Sequence, residues 1–141
     1  MKLVDANVLL YAVNEADPKH TAARRWLDAA LNGTETVGFA WAALLAFLRL
    51  STRAGLFPRP LSVDEACDRV DAWTSQPPSV VLDPTPHHLA ILTDLLENIG
   101  AGGNLVGDAH LAALAIEHGA TIVSYDADFG RFGGVVHEQP A

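Results

Sequence analysis

Three aspartates spread along the chain, Asp5, Asp108 and Asp126, point most directly to chemistry by their types and placement. Asp5 closes the short apolar run Leu3-Val4, and Asp126 follows Thr121-Ile122-Val123-Ser124 by two residues. Asp108 falls in the first turn of the helical segment that leads into that second run. Taken singly, each has an ordinary use. Asp5 serves as a helix N-cap, Asp108 complements a helix dipole, and Asp126 belongs to the turn Tyr125-Asp126-Ala127-Asp128. Gathered at one edge of a sheet they would repel one another, an arrangement tolerated mainly when a cation fills the gap. Oxygen ligands with no His or Cys partner nearby suit Mg2+ or Mn2+ rather than zinc.

The elements that must position these acids follow from the hydropathy pattern. Short apolar runs at Leu3-Val4, Thr36 to Phe39, Val80 to Leu82, Thr121 to Ser124 and Val135-Val136 read as strands. Helical periodicity covers Ala6 to Val13, His20 to Leu31, Trp41 to Thr52, Ser62 to Ser75, His87 to Asn98 and Val106 to His118. Ser62-Val63-Asp64-Glu65 is a capping box that starts the fourth of these helices. Trp41 to Thr52 is apolar on nearly every side before Arg49, which predicts a helix buried between layers. In the fifth, Leu89, Leu92, Leu95 and Leu96 are expected inward. Asp126 to Phe132 reads as a turn or short helix. Strands separated by helices require right-handed crossovers, hence an α/β fold with a parallel sheet covered on both faces. In such sheets ligands bind beyond the carboxyl ends of the strands, at the point where strand order reverses. Asp5, Asp108 and Asp126 all fall at that end.

At 141 residues, half of them hydrophobic, the chain fits one domain spanning 1–141 with an ordinary core. Its only cysteine, Cys67, rules out an internal disulfide and is expected as filler on a buried helix face. No apolar run approaches the roughly 20 residues of a transmembrane helix. Asp5 comes too early for a signal peptide, so a cytoplasmic location is expected. Seventeen acids against nine bases give a formal charge of −8. That balance argues against broad, non-specific nucleic-acid binding, though a local basic patch and a metal ion suffice for phosphate chemistry. It also suits pairing with a basic partner peptide.

Val4-Asp5-Ala6-Asn7-Val8-Leu9-Leu10-Tyr11 resembles the opening of PIN-domain proteins, specifically the VapC-type toxins of toxin–antitoxin pairs. Gly103 to Ala115, Thr121 to Phe129 and Phe47-Leu48-Arg49-Leu50-Ser51-Thr52 agree with that family in order and spacing. The resemblance implies a PIN-like three-layer α/β/α sandwich around a central, mostly parallel twisted sheet of four to five strands. It implies a metal-dependent endoribonuclease using Mg2+ or Mn2+, with RNA as substrate, a VapB-type antitoxin as partner, and a homodimer. Asp5 and Asp108 match the family's principal metal ligands, and Asp126 matches its acid after the fourth strand, with Asp128 as a helper. In the implied reaction a metal-bound water attacks the phosphodiester in line, and Asp126 positions it. One departure stands out. The family's Glu, counted five residues before an Arg on the helix after the second strand, falls on Leu44, and no acid occurs between Glu35 and Asp64.

Arg49 and Arg53, four apart and so on one helix face, are candidates for RNA phosphate contact or for a solvated helix end. Asn104 serves either as an N-cap or as an orienting group for Asp108. His110 is expected to play a structural part, His118 to favour a helix C-terminus, and His87-His88 to mark a helix start. Trp26, Trp41 and Trp73 read as core or interface. Two rival functions follow from the same residues. The missing Glu favours a PIN-fold RNA-binding or regulatory module with weak or no cleavage. A phosphohydrolase working through an aspartyl-phosphate lacks its Asp-x-Asp, since position 7 is Asn7.

Overall fold

The computed structural model describes residues 1–141. Five parallel strands form one sheet in the order β3-β2-β1-β4-β5. They are β1 (Lys2–Val4), β2 (Val37–Phe39), β3 (Ser79–Val81), β4 (Thr121–Val123) and β5 (His137–Glu138). Six helices connect them: α1 (Ala6–Val13), α2 (His20–Leu31), α3 (Trp41–Thr52), α4 (Val63–Thr74), α5 (His88–Ile99) and α6 (Leu105–His118). Ala127–Arg131 forms a short 3-10 helix after β4. The expected three-layer sandwich is therefore present, with every strand pair parallel. No helix is long and apolar enough to cross a membrane.

Side chains alternate across a strand, and here the alternation builds two cores. Val4, Val37, Phe39 and Val123 join the buried faces of α1 to α4, including Val8, Leu27, Leu44 and Trp73. Leu3 and Ile122, one residue away on their strands, join Leu82, Leu95, Leu111, Leu114 and Phe129 on the opposite face with α5 and α6. A glycine lies between Val37 and Phe39 for a steric reason. A Cβ at Gly38 would approach Leu82 Cδ1 to 2.8 Å, closer than packed atoms tolerate. Gly119, at φ +67°, ends α6 in the left-handed conformation and turns the chain into β4.

Several elements differ from expectation. β5 lies two residues beyond Val135-Val136, because the edge strand pairs His137 with Ile122 and leaves Val136 to solvent. An edge strand needs ladder hydrogen bonds more than apolar side chains, so hydropathy misplaces it. β3 is the other edge and begins one residue early. α3 is half open rather than fully enclosed: Leu44 and Phe47 are buried, but Trp41 is 52% exposed and Leu45 57%. Leu89 is 73% exposed instead of inward. It sits six residues from the buried Leu95, about 240° around the helix. Cys67 is exposed, since α4 buries the Ala66, Val70 and Trp73 stripe and Cys67 falls beside it. Trp73 is core, whereas Trp41 is open.

α5 buries only Leu95 fully, and a polar clamp supplements its packing on α6. His88 donates from Nδ1 to the Glu117 carboxylate, whose side chain is 1% exposed. Glu117 also accepts from the Thr85 amide and hydroxyl. His88 Nε2 and His110 Nδ1 share a proton across 2.9 Å. Burial opposes ionisation of Glu117, but the hydrogen bonds from His88 and Thr85 outweigh it and hold its pKa below the usual carboxylate value. Burial, reinforced by His88, lowers the His110 pKa. Both folded-state pKa values are depressed, so the clamp's stability is present at neutral pH and falls with acid. His110 begins to cost stability below its unfolded value of about 6.5, and Glu117 below about 4.5. We expect the stability of wild type relative to His110→Gln to decline as pH drops from 7 toward 5. Urea unfolding midpoints of the two proteins across that range measure it.

Candidate functional site

β1 lies between β2 and β4, so the strand order reverses at the β1–β4 pair. The crevice beyond the carboxyl ends of those two strands is where an open α/β sheet accepts ligands. The backbone of Asp5 is tied there, its N–H donating to the Val123 carbonyl at 3.0 Å. Asp5 is both site residue and N-cap: its Oδ1 accepts from the Ala6 amide at 2.7 Å at the start of α1.

Ser124 organises this edge. Its buried hydroxyl donates to Asp5 Oδ2 at 2.7 Å and accepts from Asn7 Nδ2 at 3.1 Å and from the Asp126 amide at 2.9 Å. One donor and two lone pairs are thereby all used. Asn7 in turn accepts from the Tyr125 amide at 3.1 Å, and His137 donates to the Ser124 carbonyl at 2.9 Å. The contacts of Asp5 and Asn7 with Ser124 and Tyr125 join parts of the chain more than a hundred positions apart.

Asp108, on the first turn of α6, meets the acids that follow β4. One carboxylate oxygen each from Asp108, Asp126 and Asp128 lies within 4.8 Å of the others. Asp126 caps the 3-10 helix by accepting from the Asp128 amide at 2.9 Å, which fixes its carboxylate. Asp5 stands beside this trio, and a cavity of about 170 Å³ is lined by Asp5, Asp108 and the α3 residues Ala42, Ala43 and Ala46. The tightest group is thus Asp108, Asp126 and Asp128, with Asp5 adjoining it, rather than Asp5, Asp108 and Asp126.

The crowding has an electrostatic signature. Burial and the neighbouring charges of Asp126, Asp5 and Asp128 push the Asp108 pKa up to about 7 from 3.8. Burial also raises the Asp5 pKa, against the hydrogen bonds from Ser124 and Ala6 that favour its ionised form. The donor set fits a hard divalent ion. Oxygens bound to one cation at about 2.0–2.6 Å lie no more than about 4–5 Å apart, and those of the trio fall within 4.8 Å of one another.

Other expected residues fall outside this cluster. Asn104 is exposed at the start of α6 and makes no side-chain cap. Arg53 is not on the α3 face with Arg49. It is the C-cap, with extended backbone, and it lines a separate furrow with Asn7 and Tyr11. Leu44, where the family Glu was counted, is wholly buried in the core. The α3 side chains that line the cavity beside Asp5 and Asp108 are Ala42, Ala43 and Ala46. A carboxylate from this helix would have to stand at one of these three positions, and none is acidic. Sequence reasoning missed Ser124, Asn7 and His137. Their only signal was the Asp-x-Asn after β1 and a hydroxyl closing an apolar strand.

A PIN domain model matches residues 2–135. The chain belongs to the PIN-domain family. Within it the VapC type is shown by sequence: the chain is 58% identical to "Ribonuclease VapC37" of Mycobacterium tuberculosis over 99% of this chain and 97% of that protein. It is 39% identical to "Ribonuclease VapC33" of the same species, over 99% and 98%. Among solved structures it resembles VapBC2 from Rickettsia felis bound to a promoter DNA fragment, at TM-score 0.72 and 18% identity, covering 98% of this chain and 97% of that one. Mycobacterium tuberculosis VapC20, a toxin that cleaves the sarcin-ricin loop, also matches at TM-score 0.72 and 18% identity, covering 96% and 97%. At that identity the solved structures speak for the PIN fold alone.

Two outcomes test this PIN site. Replacing Ser124 with Ala removes the donor to Asp5 while leaving every acid in place, and should lower divalent-metal affinity or activity about 10- to 100-fold. Isothermal titration with Mn2+ reads the affinity. Asp108 holds its proton more tightly folded than unfolded, so without metal its contribution to stability is lost as pH rises through about 7. Asp108→Asn should therefore raise the metal-free melting temperature more at pH 8 than at pH 5.5. Added Mg2+ should stabilise wild type most at the higher pH.

Proposed function

We infer that this protein is an endoribonuclease that depends on a divalent metal ion, Mg2+ or Mn2+, and acts as the toxin of a toxin–antitoxin pair. The observation that carries the reading is the acidic cluster at the switch point, with Asp108 raised to about 7, in a chain so similar to a protein named a VapC ribonuclease. Asp108, Asp126 and Asp128 would hold the ion, with Asp5 completing the site from β1. A bound ion supplies positive charge to the phosphoryl oxygens and lowers the pKa of a water. Asp126, its carboxylate fixed by the Asp128 amide, positions the attacking water. Ser124 keeps Asp5 turned toward the cluster. Water adds to phosphorus in line and gives up a proton, the P–O bond to the departing sugar breaks, and the departing oxygen takes up a proton to leave as a hydroxyl.

The partner reading rests on likeness of a second kind. Similar solved structures are described as complexes, among them a toxin–antitoxin complex from Klebsiella pneumoniae. We extend this to a VapB-type antitoxin for this chain, whose net charge of −8 suits a basic partner segment. The exposed Trp41 and Leu45 on α3 are the apolar surface we assign to a second copy in a homodimer. We place the pair in the cytoplasm.

One specific feature favours the rival, a PIN-fold module that binds RNA without cutting it. α3 presents alanines where a further acid would stand. Incubating purified protein with structured and single-stranded RNA in EDTA, Mg2+ and Mn2+ separates the two. Cleavage should appear with either ion and vanish in EDTA. Asp108→Asn and Asp5→Asn should each slow it by about 100-fold or more, the loss of several kcal/mol at the transition state. Wild type that binds RNA yet leaves it intact in both ions would establish the module instead.

A further inference from the structure

We propose that the furrow between α1 and α3 continues from the acids as a nucleotide subsite, in which Tyr11 stacks on an RNA base and Arg53 contacts its phosphate. This rests on the ribonuclease reading and names how the site would hold the strand it cuts. Two cavities lie along the same pair of helices. The first contains Asp5, Asp108, Ala6 and the α3 alanines. The second, of about 350 Å³, is lined by Asn7, Leu10, Tyr11, Leu50, Arg53 and Leu56 among others. Residues 6 and 46 thus face the acids, while residues 10, 11, 50 and 53 face the second space.

Asn7 links the two ends. It bonds to Ser124, which bonds to Asp5, and it also lines the furrow. Tyr11 is one helical turn further on, about 6 Å along α1, a displacement comparable with one nucleotide of an extended strand. Its ring is braced rather than free. Tyr125 packs against it with centroids 5.4 Å apart, and Lys19 Nζ lies 5.6 Å from both rings. Tyr125 precedes the acid Asp126 directly, so the bracing ring and the cluster share one turn. The Tyr125 hydroxyl is buried without a hydrogen-bond partner, which marks a ring held in place at some expense.

Charge selects the occupant. On a protein of net charge −8, a polyanion can lie only where cations project. Arg53 and Arg49 are exposed at the end of α3 and take part in no ion pair, so both guanidinium groups are available. The guanidinium fork matches phosphate oxygens. A braced aromatic ring stacks on any base, because every base offers a π-face. A single-stranded RNA segment, one nucleotide from the scissile phosphate, fits this set of groups better than a peptide. An apolar peptide would use Leu10, Leu50 and Leu56 but leave the arginine idle.

The test compares wild type with Tyr11→Phe, Tyr11→Leu and Arg53→Gln on single-stranded RNA oligonucleotides in Mn2+. Tyr11→Phe keeps the ring and should stay within about twofold of wild type. Tyr11→Leu and Arg53→Gln should each raise KM about tenfold with little change in kcat. Arg53→Gln should also flatten the salt dependence of binding by about one unit of slope. An abasic residue moved along the oligonucleotide provides a readout independent of folding. At one position it should weaken wild type about tenfold and leave Tyr11→Leu unaffected. The same comparison made by fluorescence anisotropy in an Asp108→Asn background reads the subsite without turnover. Absence of cleavage by wild type therefore overturns the reaction. Equal RNA affinity of all variants, or equal sensitivity of wild type and Tyr11→Leu to every abasic position, overturns the subsite and leaves the furrow to a peptide.

Discussion

Asp108, Asp126 and Asp128 present oxygens within 4.8 Å of one another with Asp5 alongside, and the strain of that crowding falls on Asp108. Two unit charges about 4 Å apart repel by about 4 kcal/mol at an effective dielectric near 20, less where solvent reaches them, as it does here. Free surface side chains would swing apart to escape such a penalty. Asp5 and Asp126 cannot, because hydrogen bonds hold each carboxylate at an element boundary. Asp5 caps α1, Asp126 caps the 3-10 helix, and Asp108 sits in the first turn of α6. The parallel β1–β4 pair then fixes the spacing between the anchors. The scaffold holds the acids together against their own repulsion, and a cation relieves it.

This arrangement explains why the polar interior is concentrated at one sheet edge. Ser124 is among the few buried polar residues, and all of its hydrogen-bonding capacity is spent on the turn that presents Asp5 and Asp126. The clamp of Glu117, His88 and His110 does comparable work between α5 and α6. There the difficulty is weak packing, since α5 contributes little apolar area. One helix thus carries an acid under electrostatic stress near its start and a hydrogen-bonded brace along its length.

Much of this was legible in the residues. Short apolar runs marked Leu3-Val4 and Thr121 to Ser124, helical periodicity located all six helices within a residue or two, and Ser62 with Glu65 announced its own capping box. The acids' edge was legible because their positions relative to the carboxyl ends of the strands can be read along the chain. What failed was whatever depends on which side of an element has a neighbour. Leu89 has helical spacing but no layer to meet, Trp41 and Leu45 lie on an open flank, and β5 is held by backbone pairing that leaves no trace in hydropathy. Leu44 failed for the same reason. Position along α3 says nothing of direction, and the core claims that face while Ala43 and Ala46 turn toward the acids. The His88–His110 contact joins two helices, so neither helix's periodicity contains it.

β1 occupies the middle of the sheet although it is made first, and its partner β4 begins at Thr121. A ribosome adding about 5–20 residues each second exposes Asp5 long before Ser124 leaves the exit tunnel. Until then the acid lacks the hydroxyl that orients it and the neighbours that complete its cluster. Translation products that stop before Ser124 therefore emerge without an assembled centre.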